Sequence, residues 1–390
     1  MDKPSTLADG GQQALADSAS AGTGEPQQPP PTSDTAPPQQ QPVKISCTRG
    51  LASWLLRNNV SIAFSSYQSG RLYLVGVDAQ GCISFHERYF ARAMGLWADP
   101  QRILLATLFQ LWRLENVLAP DQRTNEGADR HYVPRVAHTT GDLDIHDVAV
   151  MADGRIVFVN TSYSCLALLS PVHSFRVLWK PPFISKLAPE DRCHLNGLAM
   201  RDGAPAYVTA VCKSDVVNGW RDRRAEGGCV IDVTDNRVVS EKLSMPHSPR
   251  LHQGKLWLLN SGTGYLGSVD PASGEFSPLT FCPGFLRGLA FHNGYALVGL
   301  SLPRNGSFSG LVLDGELKKL DAEPWCGVQI IELSTGNIVE WIRLDGGVTE
   351  LFDVQVIPGV RHATATGILA DEIQHFVTFE AAAKPPSATP

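Results

Sequence analysis

Apolar and polar positions alternate along this chain in short runs broken by clusters of Gly, Asp and Asn. Ser61-Ile62-Ala63-Phe64 leads through Gln68-Ser69-Gly70 to Leu72-Tyr73-Leu74-Val75, and Cys82-Ile83-Ser84-Phe85 follows Asp78-Ala79-Gln80-Gly81. Helical periodicity is nearly absent. One short helix is predicted over 51–58, with Trp54 and Leu55 on its buried face. Short strands bounded by turn-formers predict an all-β fold.

Self-similarity narrows that class. Six hairpins share one template: an apolar strand, a turn dipeptide and a second apolar strand. Residues 94–97 turn at Asp99-Pro100 into 103–106, and 145–150 turn at Asp153-Gly154 into 156–159. Residues 195–200 turn at Asp202-Gly203 into 206–209, and 248–251 turn at Gln253-Gly254 into 256–259. Residues 288–291 turn at Asn293-Gly294 into 296–299, and 352–356 turn at Pro358-Gly359 into 362–365. Asp-Gly and Asn-Gly suit such turns because both central residues need positive φ. A repeat of roughly 40–65 residues with about four strands is a propeller blade. Each such sheet exposes an apolar face that only its neighbours can cover. The expectation is a β-propeller of six four-stranded blades, with five or seven left open by the stretched segment 302–325. Residues 352–356 are expected to supply the inner strand of the blade whose other strands lie at 61–90. That pairing would close the ring with the two ends of the chain. Residues 1–43, rich in Pro, Gln and small polar residues, are expected to be a disordered tail. The propeller domain is then 44–375, and 376–390 is a second tail.

Composition removes several function classes. The net charge of −6 argues against a nucleic-acid binder held by phosphate contacts. No run approaches the roughly 18 apolar residues of a membrane-spanning helix. The N-terminus lacks a basic region followed by an apolar run, so no secretory leader is expected. The eight cysteines are scattered singly with no C-x-x-C pair. They read as reduced, mostly buried thiols of a cytoplasmic protein rather than as a disulfide frame.

Three near-copies of one phrase carry the candidate chemistry: His146-Asp147-Val148-Ala149-Val150, His194-Leu195-Asn196-Gly197-Leu198-Ala199 and His247-Ser248-Pro249-Arg250-Leu251. In a propeller the starts of the inner strands and the loops between second and third strands meet at one mouth. That mouth is expected to collect His146, Asp147, His194, Asn196, His247, Arg250, Arg287 and Asp353, with Tyr67, Tyr163, Asn260 and Arg304 from loops. Three imidazoles from separate blades could hold a divalent metal, zinc or iron with calcium as a further choice, and leave a position for water or substrate. Asp147, Asn196, Asn260 and Asp353 could orient an imidazole, add an oxygen ligand or touch the substrate. Arg250 and Arg287 could hold an anion or stabilise developing negative charge. Tyr67 or Tyr163 would serve as acid or base if its pKa were lowered. A bland reading stands beside each of these. A repeated histidine can make one inter-blade hydrogen bond over and over, Asp147 can tie adjacent inner strands, and Arg250 and Arg287 can pair with Glu350 or Asp353. Cys193 points away from the face His194 uses and reads as core. The run Trp220-Arg221-Asp222-Arg223-Arg224 reads as a solvated loop, with a substrate lid as the other choice.

Four strings are distinctive: Gly141-Asp142-Leu143-Asp144-Ile145-His146-Asp147, Asp191-Arg192-Cys193-His194-Leu195-Asn196-Gly197-Leu198-Ala199, Ser244-Met245-Pro246-His247-Ser248-Pro249-Arg250 and Leu258-Leu259-Asn260-Ser261-Gly262-Thr263-Gly264. Together they resemble a family of bacterial conserved hypothetical proteins described only as a domain of unknown function, over about 50–370. That resemblance implies no activity and no catalytic residue. More distantly, Asn196-Gly197-Leu198-Ala199 is similar to the Asn-Gly-x-Ala of gluconolactonase-like six-bladed propellers, whose asparagine binds a divalent metal. The histidines at the other blade starts depart from that group and look like the zinc channel of peptidyl-hydroxyglycine lyases. These likenesses imply a metal-dependent lyase or hydrolase acting on a small polar or anionic substrate. The alternative is a non-catalytic propeller that binds a small molecule or peptide. Neither reading calls for nucleic acid or membrane, and the oligomeric state is left open.

Overall fold

The structure is a computed structural model that describes residues 42–304 and 306–380. The two expected tails lie outside the described residues except for 42–43 and 376–380. Six sheets follow one another around an axis as a six-bladed propeller. The first blade runs, from the axis outwards, Asp353–Pro358, Val60–Ser66, Arg71–Val77 and Ile83–Tyr89. The inner strands of the other five are Leu96–Ala98, Ile145–Val150, Leu195–Arg201, Pro246–His252 and Phe285–His292. Each of these is followed outwards by the next strands in chain order.

The ring closes between the two ends of the chain, as the sequence pattern implies. Residues 353–358 pair antiparallel with 60–65, from Ser65 opposite Asp353 to Val60 opposite Pro358. The expected hairpin from 352–356 into 362–365 does not form. Val60–Ser66 already occupies the hydrogen-bonding edge that such a hairpin would need. Ala363–Ala365 instead crosses to the second blade and pairs parallel with its outer strand Arg130–Thr139. Lys44–Cys47 likewise adds an outer strand to the sixth blade, beside Ile338–Asp345. Two blades thereby have their exposed edges covered.

Local chemistry explains the hairpins. Asp202-Gly203, Gln253-Gly254 and Asn293-Gly294 have both residues at positive φ, the geometry whose twist matches the flanking strands. Asp99 turns its chain differently, accepting hydrogen bonds from the amides of Gln101 and Arg102. The predicted helix is Leu51–Asn58, and it buries Leu51, Trp54 and Leu55. Between blades the apolar faces interlock. Phe64, Tyr73, Val354, Leu297 and Ile330 form one cluster between the first and sixth. Six of the eight cysteines are buried, Cys193 among them, and burial pushes the Cys193 thiol up. No helix among the described residues is long and apolar enough to cross a membrane.

A charged strut ties the inner strands across the axis. Asp147, on the third blade, accepts from the Leu198 amide of the fourth at 3.0 Å and from Arg250 of the fifth at 2.7 Å. Asp353, on the first blade, accepts from the Leu96 amide of the second at 2.9 Å and lies 3.9 Å from the same guanidinium. Ser248 takes the Gly288 amide of the sixth blade at 3.1 Å. Every blade is thus reached by a side chain of another. Burial raises the Asp353 carboxyl, and so does Asp147, while Arg250 opposes both.

Candidate functional site

The inner strands begin at one end of the channel, and there a cavity of about 660 Å³ opens. His146, His194 and Arg287 line it from the strand starts. Tyr67, Trp220, Arg221, Arg224, Arg304 and Phe308 line it from loops. The backbone bends sharply just before each histidine strand. Asp144, Asp191 and Met245 all have positive φ, as does His194 itself. Left-handed non-glycine residues each cost on the order of 1 kcal/mol, so this mouth stores strain.

The three imidazoles are oriented by one rule. His146 Nδ1 lies 2.9 Å from the Asp144 carbonyl and 2.8 Å from Thr161 Oγ1, whose own proton goes to the Leu195 carbonyl. Both neighbours can only accept, so Nδ1 carries the hydrogen. His247 Nδ1 donates in the same way to the Met245 carbonyl at 2.8 Å and to Ser261 Oγ at 3.1 Å. His194 Nδ1 donates to the Asp191 carboxylate at 2.9 Å, and the Trp220 indole N–H donates to the same carboxylate at 2.7 Å. In each neutral ring the lone pair therefore sits on Nε2. Burial drives the His146 pKa down to about 4, with His194 and Arg287 adding to the fall against Asp144. Burial and Arg287 hold His247 well below its ordinary value.

The structure brings two of the three histidines to the cavity. The rings of His146 and His194 lie 4.9 Å apart and nearly perpendicular. His247 is packed behind Phe285, and its Nε2 is buried without a partner. Among the described residues, no three or more His, Cys, Asp or Glu side chains are grouped to hold a metal ion. Other sequence candidates lie elsewhere. Arg250, Asp147 and Asp353 form the axial strut. Asn196 accepts from Thr209 at 2.6 Å, and Asn260 accepts from the Ser244 amide at 2.7 Å. Tyr163 packs on Phe175 in the core of the third blade. Tyr67 does line the cavity, but burial raises its pKa, so the phenol stays protonated and donates to Glu350.

Among the described residues Arg287, like Arg221 and Arg224 of the same cavity, has no counter-ion, and it is the one flanked by three aromatic rings. Its guanidinium carbon lies 5.4 Å from the Tyr67 ring, 5.3 Å from Phe285 and 5.2 Å from Phe352. Its Nε is buried with no hydrogen-bond partner, and no carboxylate among the described residues pairs with it. Arg304 is engaged by Glu350 at 2.9 Å and also donates to Tyr67. Arg92 pairs with Asp142. Arg221 lies 4.7 Å over one face of Trp220, and His194 stacks 4.2 Å from its ring centre. The molecule is acidic overall, yet this mouth carries five arginines against Asp144, Asp191 and Glu350. A second hollow, about 480 Å³, lies among the turns at the opposite end, near Gln253, Asn293 and Ser334. It gathers no comparable set of imidazoles or arginines.

A family described as a domain of unknown function, DUF4915, matches residues 49–366. The chain belongs to the DUF4915 family. No curated protein matches it. Among solved structures, a chain from the nidogen/laminin complex is similar at a TM-score of 0.49 and 10% identity, covering 77% of this chain and 99% of that one. A protein of unknown function from Bacteroides caccae is similar at a TM-score of 0.46 and 10% identity, covering 76% of this chain and 98% of that one. The matched DUF4915 span holds every cavity residue named above. Three of its contributors are not among the candidate site residues. Asp191 precedes its strand, Trp220 sits in the run read as a solvated loop or a lid, and Phe352 is apolar in the slot that histidine fills in three other blades. The one available signal was local: an aspartate three residues before His194, within reach of the ring once the chain between them bends back.

Proposed function

We propose that this DUF4915 propeller binds a small anionic ligand in its mouth, with Arg287 as the anchor. The observation that carries the reading is the Arg287 guanidinium, flanked by three aromatic rings and lacking a counter-ion. Aromatic faces favour a cation but satisfy none of its N–H groups. A carboxylate or phosphate would take two of them in parallel. The rings also fix the side chain in advance, which lowers the entropy lost on binding. Charge-assisted hydrogen bonds of this kind contribute roughly 1.5–3 kcal/mol, or about ten- to a hundredfold in affinity. The test is calorimetric titration of the untagged protein with phosphate, acetate and citrate. Binding should be at least tenfold weaker in Arg287→Gln. If none of the three anions binds, or if Arg287→Gln binds them equally, the reading fails.

A divalent metal, zinc or iron, is the second reading, and with it a lyase or hydrolase activity. What favours it is the orientation of the imidazoles, since metal-ligating histidines commonly give their other N–H to a carbonyl or carboxylate. His146 and His194 would hold the ion, and any further ligand would come from substrate or water. The metal would act there as a Lewis acid. Elemental analysis of protein purified without a histidine tag tests this reading. Absence of stoichiometric metal, with no thermal shift on adding zinc, iron or calcium, overturns it.

A further inference from the structure

We infer that the ligand of this mouth is a hydroxylated carboxylate, a hydroxy acid of the sugar-acid kind, rather than a simple anion. The inference rests on the anion reading above and specifies the rest of the molecule. It follows from hydrogen-bond complementarity. The cavity supplies donors on Arg287, and it supplies acceptors where few proteins place them. His146 and His194 both turn Nε2 toward the cavity, and neither Nε2 has a hydrogen-bond partner in the protein. Because Nδ1 of each ring is committed to an acceptor-only group, neither ring can turn over its tautomer without stranding that group. In the neutral rings these two nitrogens accept and do not donate. A ligand that fills the space with only a carboxylate would leave them facing acceptors or apolar atoms. A ligand with hydroxyl groups beside its carboxylate satisfies all three residues together.

The two acceptors are close and differently aimed. Ring centres 4.9 Å apart at an interplanar angle of 83° suit two hydroxyls on one small framework. Neither ring is free to adjust. His194 is stacked on Trp220, His146 is packed edge-on against Phe352, and Asp191 is itself held by the Trp220 indole. Asp191 is a positioning residue here, acting on the ligand through His194. A fixed acceptor rejects an analogue that lacks the matching hydroxyl, because the buried lone pair is then left unpaired.

The experiment compares two ring carboxylates of similar shape, D-glucuronate and tetrahydropyran-2-carboxylate, by calorimetry. Wild-type protein should bind glucuronate at least tenfold more tightly, about what one unsatisfied buried acceptor costs. His194→Phe keeps a ring on Trp220 but removes both nitrogens, and it should bring that ratio close to one. Arg287→Gln should weaken both ligands. A wild-type ratio at or below one overturns the inference. So does a ratio unchanged in His194→Phe. If that variant fails to fold, imidazole nitrogen spectra of the wild type decide. The His194 Nε2 resonance must be that of an unprotonated nitrogen and must move on adding glucuronate; a protonated or unmoved Nε2 refutes the proposal. Failure of the underlying reading looks different: phosphate would then bind the Arg287→Gln variant as well as it binds the wild type.

Discussion

Removing Asp147 should loosen the whole ring although it touches no cavity. Its carboxylate accepts from Leu198, its own neighbour Val148 and Arg250, and the guanidinium it balances is only 19% exposed in the channel. Breaking a buried pair by deleting one partner costs about 3–5 kcal/mol, because the other charge is left uncompensated. Asp353 remains 3.9 Å from the same guanidinium and offsets part of that loss. Asp147→Ala should therefore cost about 3 kcal/mol, at the low end of the range. With an unfolding entropy of roughly 0.7 kcal/mol per degree for a propeller of this size, Tm should fall by about 4 °C. Scanning calorimetry at pH 7.5 measures it. The double variant Asp147→Ala/Arg250→Met supplies the control. It removes charge and counter-charge together, so it should be less destabilised than the two single variants summed, by about 1–3 kcal/mol. A Tm change under about 1 °C for Asp147→Ala, or strict additivity in the cycle, would refute the strut.

Three further outcomes are expected. Burial holds His146 and His86 down to about 4 and holds His247 well below the ordinary 6.5 of a free imidazole. The unfolded chain therefore takes up protons that the native state refuses, so stability is complete above about pH 6.5 and is lost as pH falls toward 4. Asp353, raised by burial, acts in the opposite sense, but one carboxyl is outnumbered by three imidazoles. Tm measured from pH 7.5 to 5 should fall, and a flat or rising profile would count against it. Gly288→Ala should cost about 2–4 kcal/mol by chemical denaturation, because φ is +81° and the new Cβ would meet the Val354 amide nitrogen at 2.4 Å. Gly254→Ala, at φ +74° with open space around it, should cost only about 1 kcal/mol; equal losses would mean that crowding is not the cause. Finally, a chain ending at residue 350 lacks the inner strand of the first blade. It should lose its near-ultraviolet circular dichroism and be cleaved rapidly by protease, and a protected fragment of native size would contradict the closure.

The fold was legible because its signals are local. Asn293-Gly294 and Asp202-Gly203 announce hairpins by their own backbone needs, and apolar runs repeat on either side. Closure was legible for the same reason, since 352–356 has an inner strand's pattern and the strands at 61–90 lack an inner strand of their own. The fate of 362–365 was not, because edge availability depends on which strand arrives first. The site was legible only in part. His146, His194 and Arg287 sit at strand starts, where position along the chain translates directly into height in the channel. Arg250 lies further along its strand and reaches across the axis to Asp147, and that distance is no property of either segment. Arg304 is expected at the mouth from its loop, whereas Trp220 lies in a charged run whose composition reads first as a solvated loop and only second as a lid.

The pairing of Asp353–Pro358 with Val60–Ser66 has a consequence for biosynthesis. Ser65 waits for the amide of a residue 288 positions later in the chain. During translation the strand Val60–Ser66, with its apolar Ile62, Ala63 and Phe64, is therefore a sheet edge without its native mate. Blades two to five can assemble in order behind it, each on the last, while the first stays incomplete. Contacts this distant in sequence are slow to form, and open apolar edges recruit other chains. The growing ring behaves as a spring washer with one raw end, safe only once its final turn is threaded. Yield from cells should then depend on how quickly the last sixth of the polypeptide emerges, more than on the stability of the finished molecule.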